Sequence, residues 1–262
     1  MIAARGSART RLLPTERLGG RWQMAIDAWL LDRGEPALRL YHWQRPCLSL
    51  GRHQRRLRPH WLELAAAGRI DLVRRPTGGM AVLHGGDLTY ALVWPGAPAD
   101  RLLAYRQVCQ WLEHTFSELG APLQPGRQPA GLIAASCFAS STAADLVHRN
   151  GSKRIGSAQL WRRGVLLQQG SIQLDPDPGL WKELFGTSPP ELEALPCPAF
   201  ELERRLLAGA RRRLALPQWR AEPLRAWELA EIADSLIDYD LGGADGAPAA
   251  SSSPEASMPR TT

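Results

Sequence analysis

Two adjacent residues, Asn150 and Gly151, limit the folds open to this chain more than any other pair. A two-residue hairpin turn needs positive φ at both central positions, and Asn-Gly meets that need better than any other common dipeptide. The turn is flanked by β-like runs at 145–148 and 153–161, and Arg163-Gly164 leads into a third run at 165–175. The spacing predicts a three-stranded antiparallel meander, so the fold must accommodate a sheet at this point.

Elsewhere the patterning alternates between the two periods. Trp22, Ala25, Ile26, Trp29 and Leu30 recur at helical spacing, predicting a first helix over 21–32 that ends near Gly34. Further helices are expected at 59–67, 101–119, 179–185, 200–214 and 224–238. Strands are expected at 37–43, 47–51, 70–75 and 88–94, the first two joined by a tight connection through Arg45-Pro46. Residues 122–136, with three prolines and two glycines, read as a loop. Strands gathered in two groups with helices between them indicate an α+β fold, with helices packed on a mixed or antiparallel sheet. Along the chain, 1–19 is expected as a poorly ordered lead, 20–198 as the main domain, 199–240 as C-terminal helices and 241–262 as a disordered tail with almost nothing to bury.

The segment 72–93, LVRRPTGGMAVLHGGDLTYALV, is too glycine-rich for a packed element and too regularly patterned for a linker. Gly78 and Gly79 allow a backbone to approach a ligand or to take positive φ, and Arg74 and Arg75 put fixed charge beside them. The segment reads either as a substrate-cradling loop or as a hairpin with basic surface residues. His84 is a loop-fixing or substrate-side residue, with Asp87 the nearest carboxylate in sequence.

The four cysteines, Cys47, Cys109, Cys137 and Cys197, show no metal-ligand spacing. Cys47 and Cys109 sit in apolar patterns typical of small buried hydrophobes. Cys137 follows the proline-rich loop, outside any apolar periodicity, where a thiol is reactive if its surroundings are polar and electropositive. Lysine occurs only at Lys153 and Lys182 among 32 basic residues. Lys153 opens the second meander strand ahead of Gly156-Ser157-Ala158, a strand interior so small that a ligand or another backbone is expected there. It is either an ordinary strand lysine or a compact cation that holds a thiolate and donates to an acyl carbonyl.

The net charge of +6 and pI of about 9.6 admit an acidic partner. No basic run exceeds three residues, which counts against nucleic acid and anionic membrane. No stretch of about 18 apolar residues and no apolar leader core is present, so a soluble cytoplasmic protein with free thiols is expected.

With these residues in view, the chain resembles the biotin/lipoate ligase and octanoyltransferase superfamily. The likeness is carried by 74–84 (RRPTGGMAVLH), 88–90 (LTY), 153–159 (KRIGSAQ) and 164–172 (GVLLQQGSI), and more loosely by 21–196. It implies a catalytic domain like that of biotinyl protein ligases and class II aminoacyl-tRNA synthetases. It also implies a pocket for an acyl group shaped by Arg74, Arg75, Thr77, Gly78, Gly79, His84, Gly156, Ser157 and Ala158. Cys137-Phe138, shortly before the lysine strand, is similar to the cysteine-dependent octanoyltransferase branch. That likeness implies Cys137 as nucleophile, Lys153 as its electrostatic partner, octanoyl-acyl carrier protein as donor, and a lipoyl domain or glycine cleavage H protein as acceptor, with no cofactor. Two departures stand out: Gly85 replaces the aspartate usual after the histidine, and Met80 the usual glycine or arginine. The alternatives are a lipoate ligase, which would need ATP and magnesium to make an acyl-adenylate, and a non-catalytic basic binding module.

Overall fold

The computed structural model describes residues 9–126 and 145–242. Its elements follow in chain order as β1 (Thr10–Leu12), β2 (Glu16–Leu18), α1 (Gly20–Arg33), β3 (Ala37–Trp43), β4 (Cys47–Leu50), α2 (Pro59–Ala66), β5 (Asp71–Arg74), β6 (Val82–His84) and β7 (Asp87–Pro95). Then come α3 (Arg101–Glu118), β8 (Gln124–Pro125), β9 (Leu146–Val147), β10 (Lys153–Arg162), β11 (Val165–Gln173), α4 (Pro178–Phe185), α5 (Ala199–Arg213), β12 (Trp219–Ala221) and α6 (Ala226–Ala233). The fold is α+β, with two sheets and packed helices.

The meander expected around Asn150-Gly151 is present as antiparallel β9, β10 and β11. It belongs to a large sheet of order β12-β1-β3-β7-β11-β10-β9-β8, with β2 paired to β3. Strands β4, β5 and β6 form a second, small sheet of order β5-β4-β6. The run through Arg45-Pro46 therefore does not join paired neighbours: β3 pairs with β7 in one sheet and β4 with β5 and β6 in the other. Proline lacks the N–H that a hairpin ladder would use, and the chain crosses between layers there.

Helix ends follow local chemistry. Asp100 and Asp177 accept backbone N–H bonds at the starts of α3 and α4, as side-chain caps do. Helix α1 has no cap of its own, but Asp71 Oδ2 accepts from the Gly20 N–H at 2.9 Å. A side chain at Gly20 would meet Cys47 Sγ at 2.8 Å, so the helix start rests directly on the small sheet.

The lead expected to be poorly ordered up to residue 19 contains two strands instead. Thr10 pairs with Trp219 in the unexpected strand β12, and Arg11 with Ala37. Both β1 and β12 are three residues long, too short for an alternation to register in sequence, and each depends on a partner far along the chain. The C-terminal helices also join the main body: α5 packs on α3, where Trp111 Nε1 donates to Leu206 O at 2.9 Å. Residues 1–8 and 243–262 lie outside the described residues.

The large sheet separates two interiors. One face carries Leu38, Leu40, Leu88, Leu92 and Ile172 against α3 and α5. The other meets α1 through Ala37, Ala91, Val93 and Leu167. A third cluster lies between the small sheet, α2 and α4. No described helix is long and apolar enough to cross a membrane.

Candidate active site

Period-two alternation along β3, β7 and β11 sends Arg39, Tyr41, Trp43, Asp87, Thr89, Gln169 and Ser171 to the face that looks toward α1 and the small sheet. These polar and aromatic side chains are buried, which is costly unless each is paired. Two networks pair them, and a narrow cavity of about 60 Å³ opens between them, walled by both sheets, α1 and the loop at 75–79.

The first network is the floor. Asp27, fully buried on α1, accepts from Arg39 Nη1 at 2.9 Å, Tyr41 OH at 3.0 Å and Gln169 Nε2 at 2.5 Å. Arg39 also donates to Gln23 O and to the Gln23 side chain. Gln169 Oε1 accepts from Thr77 Oγ1 at 2.7 Å, which ties the glycine loop to the large sheet. Burial raises the Asp27 carboxyl above its ordinary pKa, against the pull of Arg39 and the hydrogen bonds of Gln169 and Tyr41.

The second network is a wall. His84 Nδ1 lies 2.7 Å from Asp87 Oδ2, and His84 Nε2 lies 2.8 Å from Ser49 Oγ. Arg75 Nη1 donates to Ser49 Oγ at 3.2 Å. A carboxylate only accepts, so the His84 Nδ1–H donates to Asp87. Asp87 Oδ2 also accepts from Ser171 Oγ at 2.6 Å and Thr89 Oγ1 at 3.0 Å. Burial pushes the Asp87 carboxyl up, but His84 and these donors outweigh it and leave its pKa below the ordinary value. The His84 ring stacks on Trp43 at a centroid distance of 4.0 Å. Ser49, His84 and Asp87 share the connectivity of a hydrolase triad, but Ser49 is fully buried and its oxygen is already engaged by Arg75, so the arrangement braces the wall.

The glycine loop is shaped by Arg75. Its guanidinium donates to Ser49 O at 2.9 Å, Gly78 O at 2.7 Å and Met80 O at 2.8 Å. Gly79 has φ of 97°, and a Cβ there would sit 2.8 Å from Arg75 Nη2, so only glycine closes the turn. Gly51 abuts it so closely that a Cβ would lie 1.9 Å from Gly79 O.

Of the residues singled out in the sequence, Arg75, Thr77, Gly79, His84, Gly156, Ser157 and Ala158 line the cavity. Arg74 does not: its Nη1 donates to Gly51 O and Gln54 O, propping the neighbouring loop from outside. Strand alternation explains the split, since consecutive residues at the end of β5 point to opposite sides. Gly78 is also outside the lining and contributes its carbonyl to Arg75. Cys137 lies outside the described residues. Lys153 is buried, with Nζ 3.0 Å from Asp145 Oδ1. The same carboxylate oxygen lies 3.4 Å from the Ser157 N–H, so Asp145 links the ammonium to the cavity wall.

Sequence reasoning missed Asp145, Ser49 and all of the floor except Thr77. Asp27 and Gln169 are 142 positions apart and lie in patterns that read only as helix and strand. The one available signal was the polar residue on the buried face of an apolar helix. Cys47 and Cys109 are buried thiols as expected, and burial pushes Cys109 up to about 12 and Cys47 well above its ordinary value, which disfavours the thiolate at both. Among the described residues no cluster of three metal-ligating side chains occurs.

Residues 20–195 match the lipoyl protein ligase A/B catalytic domain. The chain is 40% identical over 184 residues to octanoyltransferase LipM of Kyrpidia tusciae, covering 64% of this chain and 67% of that protein. It is 38% identical over 181 residues to octanoyltransferase LipM of Symbiobacterium thermophilum, covering 64% and 66%. The chain thus spans about two thirds of the length of these curated relatives. Among solved structures, a bipartite lipoate protein ligase from Thermoplasma acidophilum superposes with a TM-score of 0.69 at 20% identity, covering 87% of this chain and 92% of that one. That likeness concerns the fold alone. The match over most of the ordered chain and the relatives' identity agree with the cavity and its glycine loop, and the protein belongs to the lipoyl protein ligase A/B catalytic domain family.

Proposed function

We propose that the protein is an octanoyltransferase of protein lipoylation, acting in the cytoplasm without a cofactor, with 20–198 as its catalytic domain. Octanoyl-acyl carrier protein is the donor, and a lipoyl domain or glycine cleavage H protein the acceptor. In the first step the Cys137 thiolate attacks the donor thioester carbonyl, the carrier sulfur leaves as its thiolate, and an octanoyl-cysteine thioester forms. In the second step the neutral amine of the acceptor lysine attacks that thioester, an amide forms, Cys137 departs as its thiolate, and the proton lost by the amine passes to solvent. Thioester exchange is close to thermoneutral and splits one transfer into two accessible steps.

The observation that carries the reading is the buried ammonium of Lys153, held by Asp145 one carboxylate oxygen from the Ser157 wall of the cavity. A fixed cation there serves both steps, stabilising the thiolate and the oxyanion that develops on the acyl carbonyl. Support also comes from the octanoyltransferase relatives and from the burial of Cys47 and Cys109, which keeps both thiols from a substrate.

The test is to mix the protein with octanoyl-acyl carrier protein, without ATP, and record its intact mass. An octanoyl adduct that is absent from Cys137→Ala is the expected result. Acceptor modification only with free octanoate, ATP and magnesium would replace this reading by the ligase one.

A further inference from the structure

The loop at 51–58, GRHQRRLR, carries Arg52, His53, Arg55, Arg56 and Arg58, all exposed. The chain has no aspartate or glutamate between Glu35 and Glu63. Many exposed arginines elsewhere are neutralised in ion pairs, as in Arg69 with Glu183, Arg162 with Asp32, Arg212 with Glu118 and Arg225 with Glu222. Among the described residues the four arginines of this loop form no ion pair, and Arg58 rests over the Trp61 ring at 5.4 Å. The charge is therefore left facing outward.

This loop is also fixed to the cavity rim. Arg52 N donates to the carbonyl of Thr77 at 2.8 Å. Arg74 holds Gly51 O and Gln54 O at 3.2 and 2.8 Å. Gly51 packs directly on Gly79, which both lines the cavity and is exposed. Beside it Met80 is 37% exposed, an apolar contact at the edge of the charge. A charged surface anchored at several points pays little ordering entropy when a partner arrives.

We propose that the 51–58 loop is the docking surface for the acyl donor, an acidic carrier protein whose phosphodiester-linked arm enters the cavity past Gly79. The inference rests on the transferase reading above and adds to it the place where the donor lands. Guanidinium matches both partner chemistries, the carboxylates of an acidic helix and the arm's phosphodiester. An acceptor lysine brings no phosphate on its side chain, which is why the donor is the occupant favoured here.

The experiment measures the self-acylation step by intact mass with two donors, octanoyl-acyl carrier protein and the small thioester octanoyl-N-acetylcysteamine. The variants are Arg55→Glu/Arg56→Glu and a remote charge control, Arg211→Glu/Arg220→Glu. At low salt the loop variant is expected to lose about tenfold or more in kcat/KM with the carrier-borne donor, in line with electrostatic steering. The deficit should shrink at about 1 M salt, where screening reaches about 3 Å. The small thioester should react at the parent rate, and the remote variant should match the parent with both donors. Equal losses with both donors, or no loss with the carrier, overturn the proposal. A defect seen only when pre-acylated enzyme is given its acceptor assigns the loop to the acceptor and overturns it as well. A parent enzyme inert toward both donors overturns the transferase reading, an outcome distinct from an active parent with an unaffected variant.

Discussion

The two faces of the large sheet are made by the same strands and have opposite characters. On β7, Leu88, Tyr90 and Leu92 face α3 and α5 in a largely apolar interior, where Tyr90 OH accepts from Gln168 Nε2, while Thr89 faces the cavity and Asp87 backs its wall. On β11, Ile172 faces the apolar side together with Gln168, whose amide donates to Tyr90 OH there, and Gln169 and Ser171 face the polar one. The dry face is held by close packing, which tolerates loss of a methylene at a graded cost. The cavity face is held by bonds among charged and polar groups, where losing one partner strands another. One side supplies stability and the other supplies shape and charge. Substitutions on each side test that division.

The largest effect is expected from Asp27→Ala, which leaves Arg39 buried without its carboxylate. A loss of about 3–5 kcal/mol in urea denaturation is expected, together with lost transfer activity, because Tyr41 and Gln169 line the cavity. On the dry face, Phe116→Ala should cost a similar 3–5 kcal/mol, yet kcat and KM of the folded fraction should not move. If Phe116→Ala changed KM as much as stability, the two faces would not be separable.

Gly170→Ala probes the strands between the faces. A Cβ there would lie 2.1 Å from the Tyr90 ring, and Tyr90 OH meets Ser157 Oγ at 2.9 Å. Overpacking of this kind costs about 1–3 kcal/mol, and displacement of the ring should carry Ser157 with it and raise KM, measured on the same preparation. Thr77→Val is milder, about 0.5–1.5 kcal/mol for one hydrogen bond. It should raise KM for the acyl donor more than it lowers the melting temperature, because the severed bond ties the loop to the floor.

The smallest effect is one of pH, and here the two networks differ in sign. The folded pKa of Asp87 lies below the unfolded value of about 3.9, so its stabilisation is present above about pH 4 and is lost as pH falls through the folded value. Asp27 is raised, so its contribution is complete below about pH 4 and is lost as pH rises through its folded value. Urea midpoints from about pH 3 to pH 6 should show Asp87→Asn flattening the acid limb and Asp27→Asn flattening the slope just above pH 4. Equal slopes in both variants would remove the distinction.

What the sequence made legible follows from the range of the interactions. The meander, α1, α3 and the alternation in β3, β7 and β11 are written in neighbouring residues, and so are Gly79 and Arg75, whose contacts lie within five positions or across one sheet. Arg74 was harder, because only the orientation of β5 shows that it faces away from the cavity. The floor was legible only at Thr77: Asp27, Arg39, Tyr41 and Gln169 come from three other parts of the chain. Asp145 went unnoticed because nothing in its neighbourhood announces a carboxylate beside Lys153, eight residues on and across a strand pair. The 51–58 loop was passed over because its cations are interrupted by Gln54 and Leu57, so no run stands out until the fold turns them outward.

The pairing of β1 with β12 sets a timetable for synthesis. Thr10 Oγ1 bonds to a carbonyl 207 residues downstream, and Arg11 Nη1 to the Glu228 carboxylate 217 residues downstream at 2.8 Å. At translation rates of about 5–20 residues per second, roughly 10–40 s separate the emergence of these partners. Throughout that interval the outer edge of β1 is an unpaired strand edge, open to other chains. Among the described residues, the strand made last, β12, is the one that seals the strand made first, β1.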